Sequence, residues 1–189
     1  MAITGTNSAD TLTGTAGNDT VFGQGGNDNI VTGDGNDRAV GGTGKDVIET
    51  GAGNDVANGG GGDDILDGGE GDDRLYGGAG DDYIIGGDGN DVLHGGKPED
   101  KADTHNNGAD VFYFDSNDGS DKVYGFNTSD MKESLGGDAS RADKIELGDG
   151  GNYTLTYQGG NTFLHYGSTT VVFYNALLES DDIVGATLI

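Results

Sequence analysis

The sequence predicts an all-β chain in two parts, a stack of short coils over residues 1–103 and an antiparallel β-rich cap over residues 104–189. Three observations lead there. Aspartate recurs at every ninth residue through half the chain, at Asp10, Asp19, Asp28, Asp37, Asp46, Asp55, Asp64, Asp73, Asp82, Asp91 and Asp100. A glycine stands two places before nine of these and an apolar residue two places after every one, from Leu12 and Val21 to Leu93 and Ala102. Beyond Asp100 the glycine frame gives way to aromatic, alternating segments that hold every phenylalanine except Phe22 and six of the eight tyrosines.

The repeating unit is Gly-Gly-x-Gly-x-Asp-x-apolar-x. Its six glycine-rich residues form a regular helix or strand only at high entropic cost, but they can make a tight loop whose carbonyl oxygens turn inward, because glycine tolerates positive φ. The next three residues read as a very short strand with one side chain in and two out. Two units make one flattened coil, so stacking superposes aspartates of alternate repeats. Asp10, Asp28, Asp46, Asp64, Asp82 and Asp100 then line one edge, and Asp19, Asp37, Asp55, Asp73 and Asp91 the other.

Such columns need a cation. Stacked strands lie about 4.8 Å apart, and neighbouring carboxylates at that distance repel by about 3–4 kcal/mol at an effective dielectric near 20. Carbonyl and carboxylate oxygens with no nitrogen or sulfur donor select a hard ion, and flexible cages of six or more oxygens suit calcium better than magnesium. The small inward residues cannot by themselves offset the backbone entropy of so glycine-rich a chain. The repeats are therefore expected to be disordered without calcium and to fold on binding it.

The best copies, Gly68 to Tyr76, Gly77 to Ile85 and Gly86 to His94, match the motif residue for residue, and with their neighbours they resemble the RTX family of calcium-binding nonapeptide repeats. The resemblance implies a right-handed parallel β-roll in which each ion lies between a loop and the loop two repeats later. It implies side-chain ligands at Asp19, Asp28, Asp37, Asp46, Asp55, Asp64, Asp73, Asp82 and Asp91. Carbonyl ligands would come from the second and fourth loop glycines: Gly17, Gly26, Gly33, Gly35, Gly42, Gly44, Gly51, Gly53, Gly60, Gly62, Gly69, Gly71, Gly78, Gly80, Gly87 and Gly89. The end loops depart from the pattern, with Ser8 at a glycine position and Lys97, Pro98 and Glu99 before Asp100. Roughly seven well-formed calcium sites follow from the repeat pattern.

With 34 acidic and 9 basic residues the net charge is −25, which argues against nucleic acid or an anionic membrane as partner. There is no cysteine, no apolar stretch of membrane-spanning length, and no basic, apolar leader at the start. Pure disorder would not place an apolar residue after every motif aspartate.

In the second half, Gly108-Ala109-Asp110-Val111-Phe112 is one off-register copy of the motif. Alternation predicts antiparallel strands over Val111–Asp115, Lys122–Phe126, Lys144–Leu147, Tyr153–Tyr157, Thr162–Tyr166 and Thr170–Tyr174, with turns at Asp149-Gly150-Gly151 and Gly159-Gly160. Thr128 to Ala142 reads as a polar surface loop. This half resembles the C-terminal region of RTX proteins exported by type I secretion, whose signal is C-terminal and uncleaved. Asp181-Asp182-Ile183-Val184 and the apolar end Leu188-Ile189 loosely fit such a signal.

Catalysis finds little support. The chain lacks HExxH, GxSxG and a cysteine nucleophile, and His94, His105 and His165 are scattered. The acid or amide before each motif aspartate (Asn18, Asp63, Asp72, Asp81) reads as a solvated loop polar. Asp115, Asp118 and Asp121 could hold one more ion, or form a plain turn cluster. The outward residues Thr11, Thr20, Asn29 and Arg38 make no regular threonine rank of the kind ice binding needs.

Two functions are compatible with these residues. In one, the chain is a non-enzymatic, secreted calcium-binding protein of the matrix, of adhesion, of a biofilm or of the cell surface. In the other, it is the secretion and stabilising module of a larger enzyme such as a protease, lipase or polysaccharide epimerase. An acidic polysaccharide could meet Arg38, Arg74 and Tyr83 on the outward strand faces.

Overall fold

The apolar residue two places after each motif aspartate is drawn inside, and a strand forms around it. A computed structural model describes residues 1–96, 108–126, 143–148, 152–174, 176, 178, 182–184 and 187–188. Through the repeats the strands are β1 (Ala2–Thr4), β2 (Thr11–Thr13), β3 (Thr20–Gly25), β4 (Asn29–Asp34), β5 (Arg38–Thr43), β6 (Val47–Ala52), β7 (Val56–Gly61), β8 (Ile65–Glu70), β9 (Arg74–Ala79), β10 (Tyr83–Asp88) and β11 (Val92–His94). They alternate between two sheets, and each pairs in parallel with the strand two repeats on, as in Ala39↔Ala57↔Leu75 and Ile48↔Leu66↔Ile84.

β3 to β10 each run for six residues, twice the expected three. The extra residues are the first three of the following loop. Glycine there keeps the ladder going because backbones stack in register, Gly42 on Gly60 and Gly60 on Gly78. The first loop position also faces inward, and in two repeats it carries threonine instead of glycine. Thr32 and Thr50 are fully buried, and their hydroxyls donate to the carbonyls of Thr50 and Gly68 at 2.8 Å.

Val21, Ile30, Ala39, Ile48, Ala57, Leu66, Leu75, Ile84 and Leu93 form an inner file with no solvent exposure. The file passes without a break into Phe112, Phe114, Val123, Ile145, Val171 and Phe173.

The second half carries β12 (Val111–Phe114), β13 (Ser120–Tyr124), β14 (Lys144–Leu147), β15 (Asn152–Gln158), β16 (Asn161–Tyr166), β17 (Thr169–Phe173), β18 (Ile183–Val184) and β19 (Thr187–Leu188). The larger sheet runs β1-β3-β5-β7-β9-β11-β13-β17-β16-β15-β19, the smaller β18-β14-β12-β10-β8-β6-β4-β2. Among the described residues only β15, β16 and β17 pair antiparallel, with the Gly159-Gly160 turn between the first two. The expectation of antiparallel pairing is corrected for β12, β13 and β14, which lie parallel on β10, β11 and β12 respectively and prolong the roll. Alternation alone cannot separate the two cases, since it reports which face is buried and not which strand is the neighbour.

Tyr76, His94, Tyr124 and Tyr174 stack along the outside of the larger sheet, with ring centroids 4.8, 4.9 and 4.5 Å apart. His94 is thereby a packing residue, its basicity lowered by burial. Among the described residues no helix is long and apolar enough to cross a membrane. Residues 97–107, the Thr128–Ala142 loop, the Asp149-Gly150-Gly151 turn, His105, Asp181 and Ile189 lie outside the described residues.

Candidate metal centre

Each motif aspartate is the hinge between a glycine loop and the strand that follows. Its neighbour 18 residues on sits directly above it, because two nine-residue units complete one coil. The backbone N–H of each donates to Oδ1 of the next. Along one edge the chain of bonds runs Asp10, Asp28, Asp46, Asp64, Asp82, with N···O distances of 2.8–2.9 Å. Along the other it runs Asp19, Asp37, Asp55, Asp73, Asp91, at 2.7–2.8 Å. As far as Asp82 and Asp91 both columns are as expected from the nine-residue period.

Past Asp82 the column takes up an aspartate outside the nine-residue period. The N–H of Asp82 donates to Oδ1 of Asp110 at 3.0 Å, and that of Asp110 to Asp143 at 3.0 Å. Asp100 itself lies outside the described residues. On the opposite edge Asp91 donates to Asp121 at 3.0 Å. Gly108-Ala109-Asp110 and Gly119-Ser120-Asp121 therefore occupy the places of further Gly-x-Asp units, spaced 28 and 30 residues from their partners. The first is the off-register copy that the sequence showed; the second, Gly119-Ser120-Asp121, lies outside the period and was read only as part of an acidic cluster.

The second carboxylate oxygen is what makes these columns candidate ion sites. Oδ2 of Asp28, Asp37, Asp46, Asp55, Asp64, Asp73, Asp82 and Asp91 is buried with no hydrogen-bond partner. Burying an anionic oxygen unpaired is costly, and two files of four are not a fold's default. Burial, followed by the charges of stacked neighbours, pushes Asp64, Asp73 and Asp91 up to about 7 and Asp82 up to about 8. Burial also raises Asp46 and Asp55. A cation reverses this cost.

The glycine positions fit the same reading. Gly26, Gly33, Gly35, Gly42, Gly44, Gly51, Gly53, Gly60, Gly62, Gly69, Gly71, Gly78, Gly80, Gly87 and Gly89 all have positive φ. Each from Gly42 to Gly89 lies so close to the loop beneath that an added Cβ would land on a carbonyl oxygen there, as Gly60 would on that of Gly42. Gly17 differs, with neither a positive φ nor a close neighbour. Among the described residues no three His, Cys, Asp or Glu side chains converge on a point. That is the pattern of loops supplying one carboxylate each and carbonyls for the rest.

The first two loops are built differently. Threonine replaces the second glycine, and Thr6 and Thr15 each turn N–H and hydroxyl onto Oδ2 of their own aspartate. The distances are 2.6 and 2.9 Å to Asp10, and 2.6 and 2.8 Å to Asp19. Asp19 also pairs with the N-terminal ammonium group, which together with Thr15 holds its carboxyl below the usual range.

A second ladder escaped the sequence reading. From Asn18 to Asp72 on the Asp19–Asp91 edge, the side chain of the Asn or Asp before each motif aspartate accepts from the backbone N–H one coil further on: Asn18 from Asn36, Asn36 from Asn54, Asn54 from Asp72 and Asp72 from Asn90, at 3.0–3.2 Å. These side chains do more than face solvent. The preference for Asn or Asp at that place was the visible signal, since both offer Oδ1 as acceptor.

Arg38 and Arg74 stand on the larger sheet, two strands apart, with Val56 between them. Tyr83 does not join them. It lies on the smaller sheet, where its hydroxyl donates to Glu146 at 3.0 Å.

Stacked glycine loops edged with inward carboxylates define a parallel β-roll built around hard cations. A family model described as RTX calcium-binding nonapeptide repeat (4 copies) matches residues 4–39, 40–75 and 67–97. The chain belongs to this RTX family, whose repeats bind calcium and are typical of secreted bacterial proteins. Comparison with curated proteins gives no match. Among solved structures the extracellular lipase LipA from Serratia marcescens is similar at 20% identity and a TM-score of 0.37. The match covers 95% of this chain and 39% of the lipase chain.

Proposed function

We propose that this is a secreted protein whose roll folds when it meets extracellular calcium and which then acts without catalysis, as an adhesion, biofilm-matrix or cell-surface component. The observation that carries the proposal is the two files of buried, unpartnered Oδ2 atoms between Asp28 and Asp91. A chain that must stay unfolded for export and fold outside would place its uncompensated charge there, because cytosolic calcium is low. Roughly seven ions would bring the net charge from −25 to about −11. Calcium, when bound, supplies the positive charge that the columns lack. Export through a type I channel fits this reading.

An acidic polysaccharide is the partner that the larger sheet favours. Among the described residues its strands turn no carboxylate outward, and they present Arg38, Arg74 and Lys122 two strands apart beside Tyr76 and Tyr124. The smaller sheet turns out Glu49, Asp67 and Glu146. A cationic row on one face of so acidic a chain suits a polyanion.

Far-UV circular dichroism through a calcium titration, with EDTA and magnesium controls, tests the folding claim. A cooperative gain of β signal near millimolar calcium, absent with magnesium, is expected, whereas an unchanged β fold in EDTA refutes it. Retention on an immobilised polyuronate, compared with a neutral glucan and with Arg38→Glu/Arg74→Glu, tests the partner. Equal retention of the variant removes this face from the proposal.

A further inference from the structure

We propose that the ion column on the Asp19–Asp91 edge continues past the last nonapeptide repeat, into a calcium site formed by the loop Asp115–Asp121. The inference rests on reading the repeat loops as calcium sites. The family match ends at residue 97, and this loop lacks the Gly-Gly-x-Gly-x-Asp motif.

The loop nonetheless reproduces the motif's geometry. Asp91 donates its N–H to Oδ1 of Asp121 at 3.0 Å, as Asp73 does to Asp91 at 2.8 Å. Gly119 has φ +107 and bridges in parallel to Gly89, and its added Cβ would land on the Gly89 carbonyl oxygen. The N–H of Gly89 donates to the carbonyl of Asp118 at 2.7 Å. Gly119-Ser120-Asp121 thus stands on Gly89-Asn90-Asp91 as a further coil.

The uncompensated charge recurs as well. Oδ2 of Asp121 is buried without a partner, and Asp121 is 1% exposed. Oδ2 of Asp91, one coil below, is in the same condition. Asp118, 5% exposed, lies in the same loop and accepts from the Asp115 N–H. Its own N–H donates to Thr169 Oγ1 at 2.9 Å, so β17 of the cap holds the loop in place. All the donors here are hard oxygens, the chemistry that selects calcium. Binding here would tie the cap to the roll, since the loop joins β12 and β13 and is pinned by β17.

Equilibrium dialysis of the full chain against calcium, with circular dichroism at saturation, tests this. Asp121→Asn keeps the Oδ1 acceptor for Asp91 and removes only the charge. It should bind one ion fewer than the unsubstituted chain while keeping the full β signal, as Asp73→Asn should within the repeats. An unchanged count in both Asp121→Asn and Asp118→Asn/Asp121→Asn overturns the site. If Asp121→Asn fails to fold in calcium, Asp118→Asn, which lies off the ladder, decides between loss of one ion and an unchanged count. No calcium bound by the unsubstituted chain would instead sink the underlying reading of the repeats.

Discussion

The N–H of Asp55 donates to Oδ1 of Asp73 at 2.8 Å, while Oδ2 of Asp73 lies buried with no partner. One carboxylate thus serves two purposes, holding the coil below and presenting a charge that the protein does not neutralise. The two can be separated by substitution. Asp73→Asn should keep the coil and raise the calcium concentration at the folding midpoint. Asp73→Ala should also leave the Asp55 N–H unpaired and cost a further ~1–3 kcal/mol. Calcium titrations followed by circular dichroism, then urea unfolding at saturating calcium, would show the difference.

Acid should replace calcium in part. Asp64, Asp73 and Asp91 are pushed up to about 7 and Asp82 to about 8, chiefly by burial, from an ordinary value of 3.8. The calcium-free roll therefore binds more protons than the unfolded chain between these values. Its stability is fully present below about pH 4 and is lost as pH rises through 7 to 8. In EDTA, β signal should grow as pH falls from 8 to 5, while calcium affinity falls over the same range because protons compete for the same oxygens.

Two glycines at the same loop position should respond differently to alanine. Gly71 has φ +123, and a Cβ there would land on the Gly53 carbonyl oxygen. Gly17 has no positive φ, and a Cβ there meets nothing within 4 Å. Gly71→Ala should cost at least ~1–2 kcal/mol from the left-handed backbone alone, and Gly17→Ala close to nothing, read as urea midpoints in calcium.

The Thr15 hydroxyl donates to Oδ2 of Asp19 at 2.8 Å, at the loop position that is glycine from Gly33 to Gly87. Thr15→Gly should cost ~0.5–1.5 kcal/mol in calcium-saturated protein. Its effect on urea unfolding should persist in acid EDTA, because the bond needs no ion.

Leu66 has no solvent exposure and stacks between Ile48 and Ile84. Leu66→Ala should cost ~2–5 kcal/mol, since its neighbours in both sheets are held in register by the ladders and cannot close the gap. A lower urea midpoint with an unchanged ion count would mark the loss as one of packing.

Much of the site was legible because the period of nine is a geometric statement. Two units close one coil, so Asp37 over Asp55 over Asp73 follows from counting, and the inward place of Ile48 or Leu66 follows from its distance to the aspartate. Counting fails where insertions intervene. The segment after His94 breaks the period, so Asp110, Asp121 and Asp143 join the columns at spacings that no repeat announces.

Residue order is enough to read the roll, its two edges and its hard-oxygen chemistry, because these depend on contacts that recur at a constant 18-residue separation. Tertiary pairing alone settled that β12 to β14 prolong the roll in parallel and that Asp118 and Asp121 stack on the last repeat. It also settled that Arg74 and Tyr83 face opposite ways. Those outcomes depend on which strand closes against which across insertions of unequal length, and local pattern carries no record of that choice.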